Sequence, residues 1–294
     1  SISSYRPYMI KGFYPNLPGI YHMPYPYCYR CPFKKEYPEC DLACLWYIED
    51  YAFKSFLPPE EVAAVIFEPV AGDAGWHVPP DDWLPTLKKI CDNHGILLIA
   101  EEVQTGFGRT GKWFAVEHWG VVPDMLLLGK AISCGVPNAA SVLKEELCTQ
   151  KSTGEVLQTG HTFGGHPLGC VAGLVNIEVI KEEKLIDNSA KRGAYVKKQL
   201  SDMMNDHAII GDVRGVGLLI GVEVVKNKET KEPGVEEAEK ICRRAFQKGL
   251  YLVNMGAFGT RALRVAPPLI INKEQVDACL NILEGAISEV EKEV

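Results

Sequence analysis

Four short apolar runs stand in the first half of the chain: Val62–Phe67, Ile96–Ala100, Met125–Leu128 and Ala139–Leu143. Runs of this length without polar alternation read as strands covered on both faces. Between them lie helical and loop patterns, such as the amphipathic stretch from Asp81 to Asn93 with His94-Gly95 as its stop. Strands alternating with helices predict parallel pairing and right-handed crossovers. The expected fold class is therefore α/β, with a mostly parallel central sheet flanked by helices. Ligands in such sheets bind beyond the carboxyl ends of the strands. Glu68, Glu101, Glu102 and Lys130 all stand at such ends.

The pattern changes further along. A long helix is expected from Pro167 to about Glu183, with more helix to about Asn205. Ile209–Val213 and Leu218–Val225 read as strands around Arg214-Gly-Val-Gly217, Val235–Lys248 as a helix, and Tyr251–Asn254 and Ala262–Val265 as short strands. Asn272 can cap a final helix with Gln275 three residues on, and Val276, Leu280, Leu283, Ile287 and Val290 share one face of it. This predicts a large domain over residues 1–175 and a smaller α+β domain over 176–294. Residues 1–40 read as extended loop because Pro7, Pro15, Pro18, Pro24, Pro26 and Pro32 forbid a long helix; a helical pattern runs from Glu39 toward Lys54. Ser1-Ile-Ser-Ser reads as the interior of a longer protein.

A net charge of −7 argues against a nucleic-acid surface. No apolar run is long enough to span a bilayer. The ten cysteines are scattered, and several, such as Cys91, Cys170 and Cys279, sit inside apolar patterns. They are expected to be reduced, buried thiols of a cytoplasmic protein. Cys28, Cys31, Cys40 and Cys44 carry zinc-like spacing in the first pair, but the second pair falls in an expected helix. A reduced cluster or an opportunistic disulfide is the plainer reading, and no metal is assigned.

Three segments carry chemistry. Ile99–Gly111 is an apolar strand ending in Glu101-Glu102 and a Gly-rich loop; Pro123–Lys130 delivers a lysine at a strand end; Thr159–Leu168 is a Gly-rich loop that opens a helix at Pro167. A lysine ending a buried strand is either partly desolvated, and so nucleophilic, or snorkels to solvent. Gly129 before it leaves room for a flat ring. Adjacent residues on a strand point to opposite faces, so one of Glu101 and Glu102 can reach a ligand while the other pairs within the protein. A carboxylate facing a pyridine nitrogen makes that ring an electron sink. Asp73, between glycines after Glu68, can line a site or serve as an ordinary turn aspartate. Thr162 with the amides of Gly164 and Gly165 can bind a phosphate. Acid, amine and hydroxyl together suit an aldehyde carrying a phosphate.

These segments closely resemble the class III pyridoxal-phosphate aminotransferases, in the 4-aminobutyrate aminotransferase-like branch that also contains archaeal amino-acid racemases. The resemblance implies the type I pyridoxal-phosphate transferase fold, with pyridoxal 5'-phosphate as cofactor and a homodimer with shared active sites. It implies that Lys130 forms the internal aldimine and moves a proton, and that Glu101 partners the pyridine nitrogen. Val103 would pack on one ring face, Gln104 would bond the ring hydroxyl, and Thr162 would reach the phosphate across the dimer. Arg264, in Leu-Arg-Val-Ala-Pro-Pro-Leu, would grip the substrate carboxylate. Asp73 stands where many relatives carry a glutamate that can pair with that arginine. The family motif reads Asp-Glu where this chain has Glu101-Glu102, so its ring-nitrogen acid is one methylene longer. The family also carries a further segment ahead of the position of Ser1. The implied activity is transfer of an amino group from an ω-amino acid such as 4-aminobutyrate to a 2-oxo acid. An amino-acid racemase using the same lysine, or a non-catalytic relative that keeps the fold, are the other readings.

Overall fold

The computed structural model describes residues 10–149 and 160–293. The opening Ser1-Ile-Ser-Ser, Pro7 and Thr159 lie outside them. The first sheet has four strands in the order β1 (Ala64–Phe67), β2 (Leu97–Glu101), β3 (Met125–Leu128) and β4 (Ala140–Leu143). Its first three strands are parallel, in the register Phe67 beside Ala100 and Glu101 beside Leu127. Helix α1 (Trp83–His94) makes the crossover from β1 to β2, burying Trp83, Leu84, Leu87, Ile90 and Cys91 on one face. It stops at Gly95, whose φ of 67° only glycine adopts readily.

Two expectations for this sheet change. β4 is antiparallel to β3. The connection, residues 129–139, is shorter than the roughly a dozen residues that a parallel crossover needs. Val62–Phe67 is not covered on both faces either: Ile66 is 40% exposed.

Helices α2 (Pro167–Glu182) and α3 (Leu185–Asp206) lead to a second sheet. Its strands are β5 (Ile210–Val216), β6 (Leu219–Asn227), β7 (Glu232–Pro233), β8 (Asn254–Met255) and β9 (Arg261–Val265). The order is β5-β6-β9-β8, with β7 on β6, all antiparallel. The strand expected over Tyr251–Asn254 is thus shifted to Asn254–Met255. Helices α4 (Val235–Gln247) and α5 (Lys273–Glu291) pack with α3 on one face around Ile220, Val222, Ile241, Leu263 and Ile287. The expected capping box of α5 is present: Gln275 N–H donates to Asn272 Oδ1 at 2.8 Å, and Asn272 N–H to Gln275 Oε1 at 3.0 Å. The opposite face of the sheet carries Leu219 and Ala262 against Val70 and Trp76 of the loop after β1.

The helix expected from Glu39 begins only at Ala43, after left-handed Asp41 and Leu42, and is π-helical over Tyr47–Ala52. Cys40 is therefore in a turn and not in the helix. The described cysteines are all free; Cys91 is buried as expected, but Cys170 is exposed because it lies on the outer side of α2. The loop before this helix is pinned more firmly than its prolines suggest. Arg30 Nε donates to Glu223 Oε1 at 2.6 Å, and the Tyr27 hydroxyl donates to the same carboxylate. Arg214 lies 2.7 Å from it as well, while Arg214 Nε donates to Gly75 O at 2.8 Å. Glu223 is fully buried, so removing any one partner would strand charge in the interior.

Candidate active site

Parallel register brings the acids and the amine together. Phe67 pairs with Ala100, so Glu68 and Glu101 emerge side by side from β1 and β2. Glu101 pairs with Leu127 of β3, and Lys130 follows just past that strand's end. Burial raises the Glu101 carboxyl above the usual carboxylate range; the Lys130 ammonium, the Val103 N–H and a hydrogen bond from Glu68 pull it back. Burial likewise pushes Glu68 up to about 7, aided by the charges of Glu101 and Asp73 and opposed by the Gly72 N–H and by Lys130. Lys130, Glu101, Glu68 and Asp73 thus form one electrostatically coupled group.

Of the two states open to a lysine at a strand end, Lys130 takes the second: it is exposed to solvent. Its φ of 44° is left-handed, which turns the chain out of the sheet immediately after the strand. Non-glycine residues in this region store strain and cluster at functional sites. Gly129, expected to leave room for a ring, is instead packed by Val103: a Cβ there would lie 3.3 Å from Val103 Cγ1. Val103 is thereby wedged between the ends of β2 and β3.

Glu101 and Glu102 do take opposite roles. Glu102 is fully buried, accepting from Ala115 N–H and Val116 N–H, each at 2.9 Å, and from the Thr105 hydroxyl. It caps a 3-10 turn and faces away from the amine. Gln104 is held by two neighbours. Its Nε2 donates to Asp73 Oδ1 at 3.0 Å, and its Oε1 accepts from Trp76 Nε1 at 3.1 Å. Asp73 is therefore tied to Gln104, and among the described residues no ion pair joins it to Arg264.

Arg264 sits on β9, two residues from Ala262 and so on the same strand face. That face meets Trp76, and Arg264 pairs with Gly221, where a Cβ would lie 3.0 Å from Gly75 O. The arginine is thus brought to the loop that bears Asp73. Beside it lies Arg109, which the sequence reading passed over. Arg109 donates to Leu218 O at 3.1 Å and Pro267 O at 2.6 Å. Burial and the Arg264 charge lower its pKa to about 10. Thr162 lies in an exposed turn ahead of α2, and no described contact brings it to Lys130. Among the described residues, no three potential ligands gather around a metal position.

The family model for class III aminotransferases matches residues 1–287. The chain is 42% identical to the leucine/methionine racemase of Thermococcus litoralis, over 96% of this chain and 62% of that protein. It is 34% identical to the probable 4-aminobutyrate aminotransferase of Bacillus subtilis, over 97% of this chain and 64% of that one. A Bacillus anthracis aminotransferase structure superposes with a TM-score of 0.86 at 33% identity, covering 95% of this chain and 63% of that one. The chain therefore spans less than two thirds of the length of these relatives.

Proposed function

The chain belongs to the class III aminotransferases, a pyridoxal-phosphate-dependent family, and has their type I fold, and on that premise we propose that it contributes the catalytic amine, Lys130, to an amino-acid transaminase. The observation that carries the reading is the convergence of Lys130 and Glu101 at the ends of adjacent parallel strands. The donor set fits the cofactor. An amine for an aldehyde carbon and a carboxylate for a ring nitrogen share one edge of the sheet, and the Val103 methyl groups lie against Gly129, next to the amine. Bound there, pyridoxal phosphate supplies the electron sink for the bond broken at the substrate carbon.

The chain's own groups do the rest. Lys130 would hold the aldehyde carbon and would carry a proton to and from the substrate. Glu101 keeps the ring nitrogen protonated. Val103 would cover one ring face, and Gln104, fixed by Asp73 and Trp76, would offer its amide to the ring hydroxyl. Arg264 receives the substrate carboxylate through its planar fork, and Asp73 lines the same loop. Thr162 serves the phosphate of a partner subunit in a homodimer. Support for such an assembly is the exposed apolar face of α2, where Leu168, Val171, Leu174 and Val175 are all half or more exposed.

The donor we favour is an ω-amino acid of the 4-aminobutyrate kind, with a 2-oxo acid as acceptor. Racemisation by the same lysine is the second reading, favoured by the 42% identity to a racemase. Two incubations of the cofactor-loaded protein separate them. 4-Aminobutyrate with 2-oxoglutarate should yield glutamate. Single enantiomers of leucine, methionine, alanine or serine without any oxo acid should keep their configuration on chiral chromatography. Inversion without an oxo acid, with no glutamate formed in the other tube, would replace the transaminase reading by the racemase one.

A further inference from the structure

We propose that Glu68 is a positioning residue for Glu101: from the end of the neighbouring strand its carboxyl group donates a hydrogen bond that keeps the Glu101 side chain aimed and ionised. The inference rests on reading Glu101 as the acid that faces the ring nitrogen.

The geometry begins with the strands. β1 and β2 are parallel and in register through Phe67 and Ala100, so the next residue of each, Glu68 and Glu101, leaves the sheet at neighbouring points. Adjacent strands are about 4.8 Å apart, which puts two glutamate side chains within hydrogen-bonding reach. At that spacing Glu68 acts on Glu101 as a hydrogen-bond donor, one of the influences that lower the Glu101 carboxyl against its burial. Two carboxyl groups in contact cannot both carry a charge cheaply, so one keeps a proton and donates it.

The surroundings decide which one. Glu101 has the Lys130 ammonium as the largest influence opposing its burial, together with the Val103 N–H. Glu68 is the more deeply enclosed, and the Gly72 N–H counts for more than Lys130 among the influences that lower it. Its Oε2 accepts from Gly72 N–H, leaving the other oxygen to carry the proton. The groups facing Glu68 are Glu101 from β2, Asp73 from the following loop and Lys130 from beyond β3. Tyr25 adds a hydroxyl that donates to Glu68 O at 2.9 Å and is kept neutral by its own burial. Glu68 thus holds the proton and Glu101 the charge.

The arrangement also accounts for the length of Glu101. A glutamate has one more rotatable bond than an aspartate at the same place, and a carboxylate that wanders cannot hold a ring nitrogen. A donor fixed on the adjacent strand, itself anchored by Gly72, selects one rotamer. The sign with pH follows. Glu68 sits near 7, well above a free glutamate, so its donor is present below about pH 7 and is lost as the pH rises through that value. The two carboxylates then repel.

Two readouts test this. The first needs no turnover: infrared spectra of protein carrying 13C-labelled glutamate, followed from pH 5 to pH 9. The wild type should show the carbonyl stretch of one buried protonated carboxyl disappearing with a midpoint near 7, and Glu68→Gln should lack it. The second is the pH profile of kcat in the cofactor-loaded protein. The wild type should decline as the pH rises through about 7. Glu68→Gln keeps the shape and donates at every pH, so it should abolish that decline. Glu68→Ala should lower kcat by about 10-fold or more, with KM within about 3-fold, because it removes only a second contact to the acid. The proposal fails if the labelled band is absent above pH 6, or if Glu68→Ala keeps the wild-type kcat and pH profile. If the band titrates as expected but Glu101→Gln is fully active, the carboxyl pair stands and the role given to Glu101 falls.

Discussion

In the five-stranded sheet and its helices, Ile220, Val222, Ile241, Leu263 and Ile287 are all 0% exposed. In the four-stranded sheet and α2, Ile66, Val142, Leu168 and Leu174 are 40%, 49%, 60% and 63% exposed. The first region closes its core within the described residues; the second presents apolar surface on its edges and outer helix. The proposed chemistry sits on the second. Glu68, Glu101 and Lys130 all project from the open sheet's strand ends, and only Arg264 comes from the closed region. The proposed site thus lies apart from the most closed core, and substitutions should separate reactivity from stability.

Lys130→Ala should have the largest effect. Turnover should fall by about 1,000-fold or more, on the order of 4 kcal/mol of barrier. The unfolding free energy should stay within about 0.5 kcal/mol, because the side chain is exposed. Kinetics and denaturant titration on one sample check both; half-retained activity would remove Lys130 from the chemistry. Ile287→Ala should do the reverse. A fully buried isoleucine truncated in a closed core destabilises by about 2–5 kcal/mol. Turnover per folded molecule should hardly change. A destabilisation below about 1 kcal/mol would mean that the core is looser than described.

The contrast was partly legible in the sequence. Apolar runs ending in Glu101 and Lys130 placed both residues at adjacent strand ends, because strand ends concentrate polar groups wherever the strand itself cannot hold them. The periodicity of α5 and its Asn272/Gln275 cap located the closed region. The direction of β4 is encoded in the brevity of residues 129–139, a signal that the alternation of strands and helices masks. The partnership of Glu68 with Glu101 had a signal too: two acids, each directly after an apolar run. Arg109 had none, since its main-chain acceptors at Leu218 and Pro267 come from distant segments. Whether Lys130 is enclosed or exposed stays open in the sequence, because exposure depends on what covers a strand end, which local pattern does not encode.

Arg264→Lys probes the single contribution that crosses from the closed region to the open one. It keeps the charge and loses the fork, so KM for amino donor and oxo acceptor should each rise about 10-fold, roughly 1.4 kcal/mol. Thermal stability should be nearly unchanged. Normal KM for both substrates would detach the closed region from the site. Leu174→Ser should have the smallest effect on folding, within about 0.5 kcal/mol, because the leucine is 63% exposed. Its consequence should instead appear as weaker self-association in sedimentation velocity. An unchanged association state would mean that α2 is not the covered face.

The central claim is that the strand end at Lys130 is where the cofactor is held. Borohydride reduction of the cofactor-loaded protein, followed by proteolysis and mass spectrometry, reads this directly, because reduction makes the lysine–aldehyde linkage permanent. The account predicts a single modified peptide, spanning residues 123–130, with the pyridoxyl mass on Lys130. Modification confined to another lysine, or an unmodified Lys130 in protein that has retained its cofactor, would contradict it.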